Sequence, residues 1–211
     1  MKIGIVGAGN IGGTLAFLFT RAGHEVALGN SRGPETLADT VAALGPAGHA
    51  ATAADAAAFG QLVVVAVPLK AYSALPPEPF AGKIVVDANN YYPQRDGHIA
   101  ALDAKTATST GLLADHLPDA RVLKAFNTIN YAHLRDRGAP EAPAAERYAI
   151  PVAGDDAEAK AVLTGLIDQI GFSAVDTGPL AESWRQEPGS PVYGAEVQPD
   201  QAVALLAEAR R

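Results

Sequence analysis

The chain has 211 residues, 48% of them hydrophobic and 18% charged, which is enough apolar material for one domain, or one domain with a small appendage, and excludes a disordered chain. Its 16 lysines and arginines against 23 acids leave a net charge of −7, which argues against a general nucleic-acid binder because phosphate binding needs a concentrated positive field. There is no cysteine, so disulfides, thiolate nucleophiles and Cys-ligated metals are excluded, and a reducing, cytoplasmic setting is expected.

The chain opens with a short apolar run broken by glycines, unlike the longer apolar core of a signal peptide. The longest apolar run, Leu62–Leu69, is too short to cross a bilayer, so no membrane partner is expected. Apolar, β-branched runs alternate with alanine-rich stretches, the rhythm of a parallel sheet covered by helices. Strands are predicted at Lys2–Val6, Glu25–Gly29, Ala50–Thr52, Leu62–Ala66, Lys83–Asp87 and Arg121–Ala125. Helices fit at Ile11–Ala22, Glu35–Leu44, Asp55–Phe59, after Pro68 and around Gly111–Leu117. The stretch Arg137–Arg147, with prolines, small residues and charges, reads as a linker. Beyond it come a strand at Tyr148–Ala153, a helix at Asp156–Ile170, a strand at Ser173–Asp176, a Pro/Gly-rich segment and a last helix at about Asp200–Arg210. Asp155 or Asp156, with Glu158 following, has the pattern of a helix N-cap.

The first turn carries the most specific signal. Gly7, Gly9 and Gly12 spell G-x-G-x-x-G directly after a strand and at the start of a helix, with a second strand closing the unit. Gly7 permits the tight turn, Gly9 lets the backbone approach a pyrophosphate, and Gly12 lets helix and strand pack closely. The free N–H groups and positive dipole end of the helix then face the phosphates. These features predict a Rossmann-type doubly wound parallel sheet over residues 1–140 and a small C-terminal α/β part over residues 141–211 that completes a cleft.

At the end of the second strand, "GNSRG" matches the G-x-S-x-G of a hydrolase elbow. Ser31 follows the second strand, Gly33-Pro34 separates it from the next helix, and no acid and histidine follow in triad context, so a nucleophilic role is disfavoured. The same place in NAD enzymes carries an acid for the ribose 2′-hydroxyl. Here Asn30, Ser31 and Arg32 offer hydrogen-bond donors, the chemistry that suits a 2′-phosphate and hence NADP(H). Further along, Val67 and Pro68 follow the fourth strand, Asn89 and Asn90 the fifth, and Asn127 and Thr128 the sixth, all at the carboxyl edge where a doubly wound sheet binds its ligand. Val67 and Pro68 are expected along the pyrophosphate or ribose, Asn89 near the switch point and Asn127 near the nicotinamide. No tyrosine has a lysine four residues on, and no H-E-x-x-H stands on one element. No catalytic residue and no metal ligand is therefore assigned.

The stretches "MKIGIVGAGNIGGTLA", "GHEVALGNSRGPETL", "VVVAVP", "VLKAFNTI", "PVAGDDAEAK" and "AVDTGPL", in this order, resemble the NADPH-dependent reductases of the deazaflavin coenzyme F-420 and their bacterial relatives. They are also similar to the cytosolic domain of the six-transmembrane metalloreductases. The resemblance implies NADP bound by Ala8, Gly9, Asn10 and Ile11 and by Asn30, Ser31 and Arg32, with a deazaflavin stacked on the nicotinamide between the two parts. It further implies a homodimer acting on a small-molecule electron acceptor. Arg135, Arg137 and Arg147 are candidates for an acidic acceptor tail. Other acceptors, such as a flavin, a ferric chelate or a small carbonyl compound, remain open, as does an NADP-binding redox sensor without turnover.

Overall fold

The computed structural model describes residues 1–211. Its order of strands follows from burial. β4 (Leu62–Val65) and β5 (Ile84–Asp87) bury every residue, which requires cover on both faces of the sheet. With β1 (Lys2–Val6), β2 (Glu25–Asn30), β3 (Gly48–Thr52), β6 (Arg121–Lys124), β7 (Ala149–Gly154) and β8 (Ser173–Asp176) they form one sheet in the order β3-β2-β1-β4-β5-β6-β7-β8. The first six strands are parallel and follow the 3-2-1-4-5-6 order of a Rossmann sheet.

Alternate residues of each strand meet different helices, as the period-2 pleat dictates. Ile3, Ile5, Val64 and Val86 pack on one face against α1 (Asn10–Arg21) and its neighbours. Val63, Val65 and Val85 pack on the other against α3 (Ala53–Phe59) and α6 (Ser109–His116). Between β2 and β3 the predicted helix splits into a 3-10 turn, Pro34–Leu37, and α2 (Ala38–Leu44). Two one-turn helices, α4 (Pro93–Asp96) and α5 (Ala100–Asp103), follow β5, and α7 (Tyr131–Asp136) follows β6.

β7 runs antiparallel to β6 and pairs with it only through Leu123↔Gly154 and Lys124↔Ala153, so most of β7 stands beyond the carboxyl edge of β6. β8 pairs parallel to β7 across α8 (Ala157–Gln169). α9 (Pro199–Glu208) closes a small cluster of Ala149, Val175, Val192, Ala202 and Leu206. Asp156 caps α8, accepting from Ala159 N at 2.9 Å, and Arg121 of β6 donates to the same carboxylate. That ion pair is one side-chain tie where β6 meets the C-terminal unit. The segment Arg137–Arg147 is tied down too: the buried Arg147 donates to the carbonyls of Pro140 and Ala142 and pairs with Asp168. No helix is long and apolar enough to cross a membrane.

Candidate functional site

A cleft of about 490 Å³ opens at the carboxyl ends of β1, β2 and β4. Gly7, Ala8 and Gly9 line its floor, Asn30, Ser31 and Arg32 one wall, and Val67 and Pro68 the other. Gly7 has φ 113°, a conformation open to glycine, and an added Cβ there would strike the carbonyl of Ala66. At Gly12 a Cβ would come within 1.8 Å of the Gly7 carbonyl oxygen, so α1 can lie against β1 only without a side chain. Gly9 is different: nothing stands within 4 Å of where its Cβ would be. It leaves an open cradle against the backbone, as close approach by a bound pyrophosphate requires.

Asn10, Ile11 and Gly12 form the first turn of α1 directly behind this floor. Their N–H groups fall in the first turn, where donors have no intrahelical partner, and the turn contains no acid to compete with an anion. On the β2 side, Asn30 is spent on loop geometry: Oδ1 accepts from Arg32 N at 2.9 Å and Nδ2 donates to Thr36 Oγ1 at 2.9 Å. That leaves the Ser31 hydroxyl and the Arg32 guanidinium exposed at the mouth of the cleft. No histidine or carboxylate bonds to Ser31, so it is not held as a nucleophile. The floor, the helix terminus and these donors together fit a dinucleotide carrying a 2′-phosphate.

Asn89 and Asn127 lie apart from this cleft, at the ends of β5 and β6, where the structure shows a polar network that sequence reasoning missed. Asp87 and Lys124 are neighbours in the β5–β6 register, and both side chains are fully buried. Lys124 Nζ donates to Asp87 Oδ2 at 3.1 Å, to Ser109 Oγ at 3.1 Å and to the Asn89 carbonyl at 2.5 Å. Asp87 also accepts from Thr110 Oγ1 at 2.5 Å and from Asn89 N at 2.9 Å. Both main-chain groups of Asn89 are thus gripped by one ion pair, while its buried side-chain amide has no partner on either atom. A signal was present in the sequence: two strands with apolar centres, "IVVD" and "RVLK", end on opposite charges that parallel pairing sets side by side.

Asn127 is enclosed instead. Its amide nitrogen donates to Gln186 O at 2.7 Å and Asn90 Oδ1 at 3.0 Å, and its oxygen accepts from Gln186 Nε2 at 3.0 Å. Its side chain therefore joins the β6 end to the segment after β8. Phe126, just before it, is a buried non-glycine residue at φ 62°, a conformation that costs about 1–3 kcal/mol and persists where surrounding contacts enforce it. Arg135 pairs with Asp136 and, like Gly138 and Pro140, lies beside the last turn of α1, at the opposite edge of the sheet from the cleft. With Arg147 buried in its own carbonyl contacts, neither of the two is free to hold an acceptor at the carboxyl edge.

Residues 2–91 match the model of a family described as "NADP oxidoreductase coenzyme F420-dependent". The fold superposes on a hypothetical protein of Sinorhizobium meliloti with a TM-score of 0.78 and 30% identity, covering 94% of this chain and 95% of that one. It also superposes on a protein of Arthrobacter sp. FB24, provisionally named an F420-dependent NADP reductase, with a TM-score of 0.72 and 30% identity, covering 88% of this chain and 87% of that one. Over 184 residues, 86% of this chain, it is 28% identical to the metalloreductase STEAP3 of Rattus norvegicus. The chain spans about a third of the length of the curated relatives it matches, 35% and 34%. With a Rossmann sheet, a glycine-lined cleft and near whole-chain likeness agreeing, the protein belongs to the F-420-dependent NADP oxidoreductase family.

Proposed function

We propose that the protein transfers a hydride between NADP(H), held in the β1–β2–β4 cleft, and the deazaflavin F-420. The observation that carries the cofactor half is the meeting, in one cleft, of the acid-free first turn of α1 with the unpaired Ser31 and Arg32. When bound, NADP(H) supplies the hydride chemistry at nicotinamide C4. The chain's own part is binding and alignment. The first turn of α1 and Gly9 receive the pyrophosphate, Ser31 and Arg32 the 2′-phosphate, and Val67 and Pro68 shield the path between them from water. The unpartnered amide of Asn89, held by Lys124 and Asp87, provides one donor and one acceptor toward the nicotinamide end. No side chain is required to move a proton, consistent with assigning no catalytic residue.

The family and the likeness to the Arthrobacter protein support F-420 as acceptor. From the resemblance we further propose a homodimer in the cytoplasm, to be checked by sedimentation and cell fractionation. Mixing the protein with NADPH and F-420 should bleach the visible absorbance of the oxidised deazaflavin. An unchanged spectrum, with turnover on a flavin instead, would replace the acceptor; NADPH binding without turnover on any acceptor would indicate a sensor.

A further inference from the structure

A second cavity, of about 280 Å³, lies beyond the ends of β5 and β6, separate from the NADP cleft. Its walls are the rings of Tyr91 and Trp184, and its rim carries Lys105, Arg210 and Arg211. In a chain of net charge −7 this is an unusual gathering, and none of the three cations takes part in an ion pair. Arg211 is held against the cavity by donating to the Ala107 carbonyl at 3.3 Å. Tyr91 is fixed through its hydroxyl, which donates to Asp103 Oδ1 at 2.7 Å and accepts from Ile99 N at 3.0 Å. Glu187, the one carboxylate side chain on the wall, spends Oε1 on the N–H and hydroxyl of Ser109, at 2.7 and 2.8 Å. Ser190, also on the wall, has a buried hydroxyl with no partner. Unpaired cations with a spare hydroxyl form a receptor for carboxylate or phosphate groups.

The position adds meaning to the chemistry. Glu187 binds Ser109, and Ser109 binds Lys124, which grips Asn89, so a chain of three hydrogen bonds joins the cavity wall to Asn89 at the nicotinamide end. We propose that this cavity receives the acidic tail, bearing phosphate and glutamyl carboxylates, of the hydride acceptor. This rests on the deazaflavin reading above, and it gives the task expected of Arg135, Arg137 and Arg147 to Lys105, Arg210 and Arg211.

Trp184 is the only tryptophan in the chain, so its fluorescence reports on this cavity directly and without turnover. Titration with a γ-linked glutamate oligomer, and separately with inorganic phosphate, should change that fluorescence saturably and in a salt-dependent way; which probe acts at lower concentration identifies the part of the tail that binds. A Lys105→Glu/Arg210→Glu variant should raise the KM for F-420 by about tenfold or more while leaving the KM for NADPH as it was. Arg21→Glu, a comparable charge reversal at the opposite edge, should leave both unchanged. A silent Trp184 together with an unaltered KM for F-420 in the double variant overturns the proposal. A Trp184 response without any reduction of F-420 keeps the anion cavity and removes the deazaflavin as acceptor. Reduction of F-420 with a KM indifferent to the rim charges does the reverse.

Discussion

Arg32 and Lys124 show two ways in which a cation can matter in the same fold. Arg32 is exposed, bonds to no carboxylate, and gains its partner only from the cofactor, so its loss should be felt in selectivity and hardly in stability. Arg32→Ala is expected to lower the preference for NADPH over NADH in kcat/KM by about 10- to 100-fold, the range for one charged hydrogen bond, and an unchanged ratio would remove its role. Lys124 is fully buried between Asp87, Ser109 and the Asn89 carbonyl. Removing one partner of such a pair strands the other charge, so Lys124→Met should cost about 3–5 kcal/mol in urea unfolding. A loss below about 1 kcal/mol would mean that Asp87 finds another donor. Arg32 was legible because its position is fixed by counting from the glycine fingerprint. Of the partners of Lys124 only Asp87 left a trace in the sequence; Ser109 and the Asn89 carbonyl come from α6 and a loop whose approach appears only once the sheet is assembled.

At the scale of elements, the glycines of the first turn divide by what they face. Gly12→Ala would push α1 off β1, so it should lower unfolding free energy by about 1–3 kcal/mol. Gly9→Ala meets nothing in the protein and should melt like the parent, yet weaken NADPH binding by on the order of tenfold, because its methyl enters the cleft. Thermal melts beside NADPH titrations separate the two; a Gly9→Ala protein with full affinity would place the pyrophosphate elsewhere. The long, periodic elements were readable from sequence: β1, α1, β4 and α8 fall within a residue or so of expectation. The short helices α4, α5 and α7 were not, because one or two turns give too few positions for a periodic pattern and are held by local side-chain bonds such as Asp96 to Tyr92 N.

For the whole molecule the joint that titrates is where β6 meets the C-terminal unit. The Arg121 guanidinium and the Ala159 N–H hold the Asp156 carboxyl well below the usual carboxylate range. A group depressed in this way stabilises the fold fully above its ordinary value of 3.8 and loses that contribution as the pH falls below it. Asp156→Asn keeps a capping side chain but removes the charge. It should therefore lower Tm near neutral pH and flatten the fall in Tm below pH 3.8, whereas parallel Tm curves for the two proteins would show that Asp156 carries no such linkage. The reversal of direction at β7 was not legible, because an apolar run flanked by a linker gives no sign of which way it will pair.

The two-residue overlap of β7 on β6 also governs how the protein behaves in company. Both outer strands of the sheet are short, β3 with five residues and β8 with four, and β3 is largely exposed and poor in bulky apolar residues, so neither side offers another chain a long template. The last strand of the parallel sheet, β6, is apolar at Val122 and Leu123 and is shielded at its rim by β7 and α8. A chain shortened before Ala149 would present that rim bare, and its first failing would be insolubility through edge-to-edge association, before any loss of the nucleotide cleft.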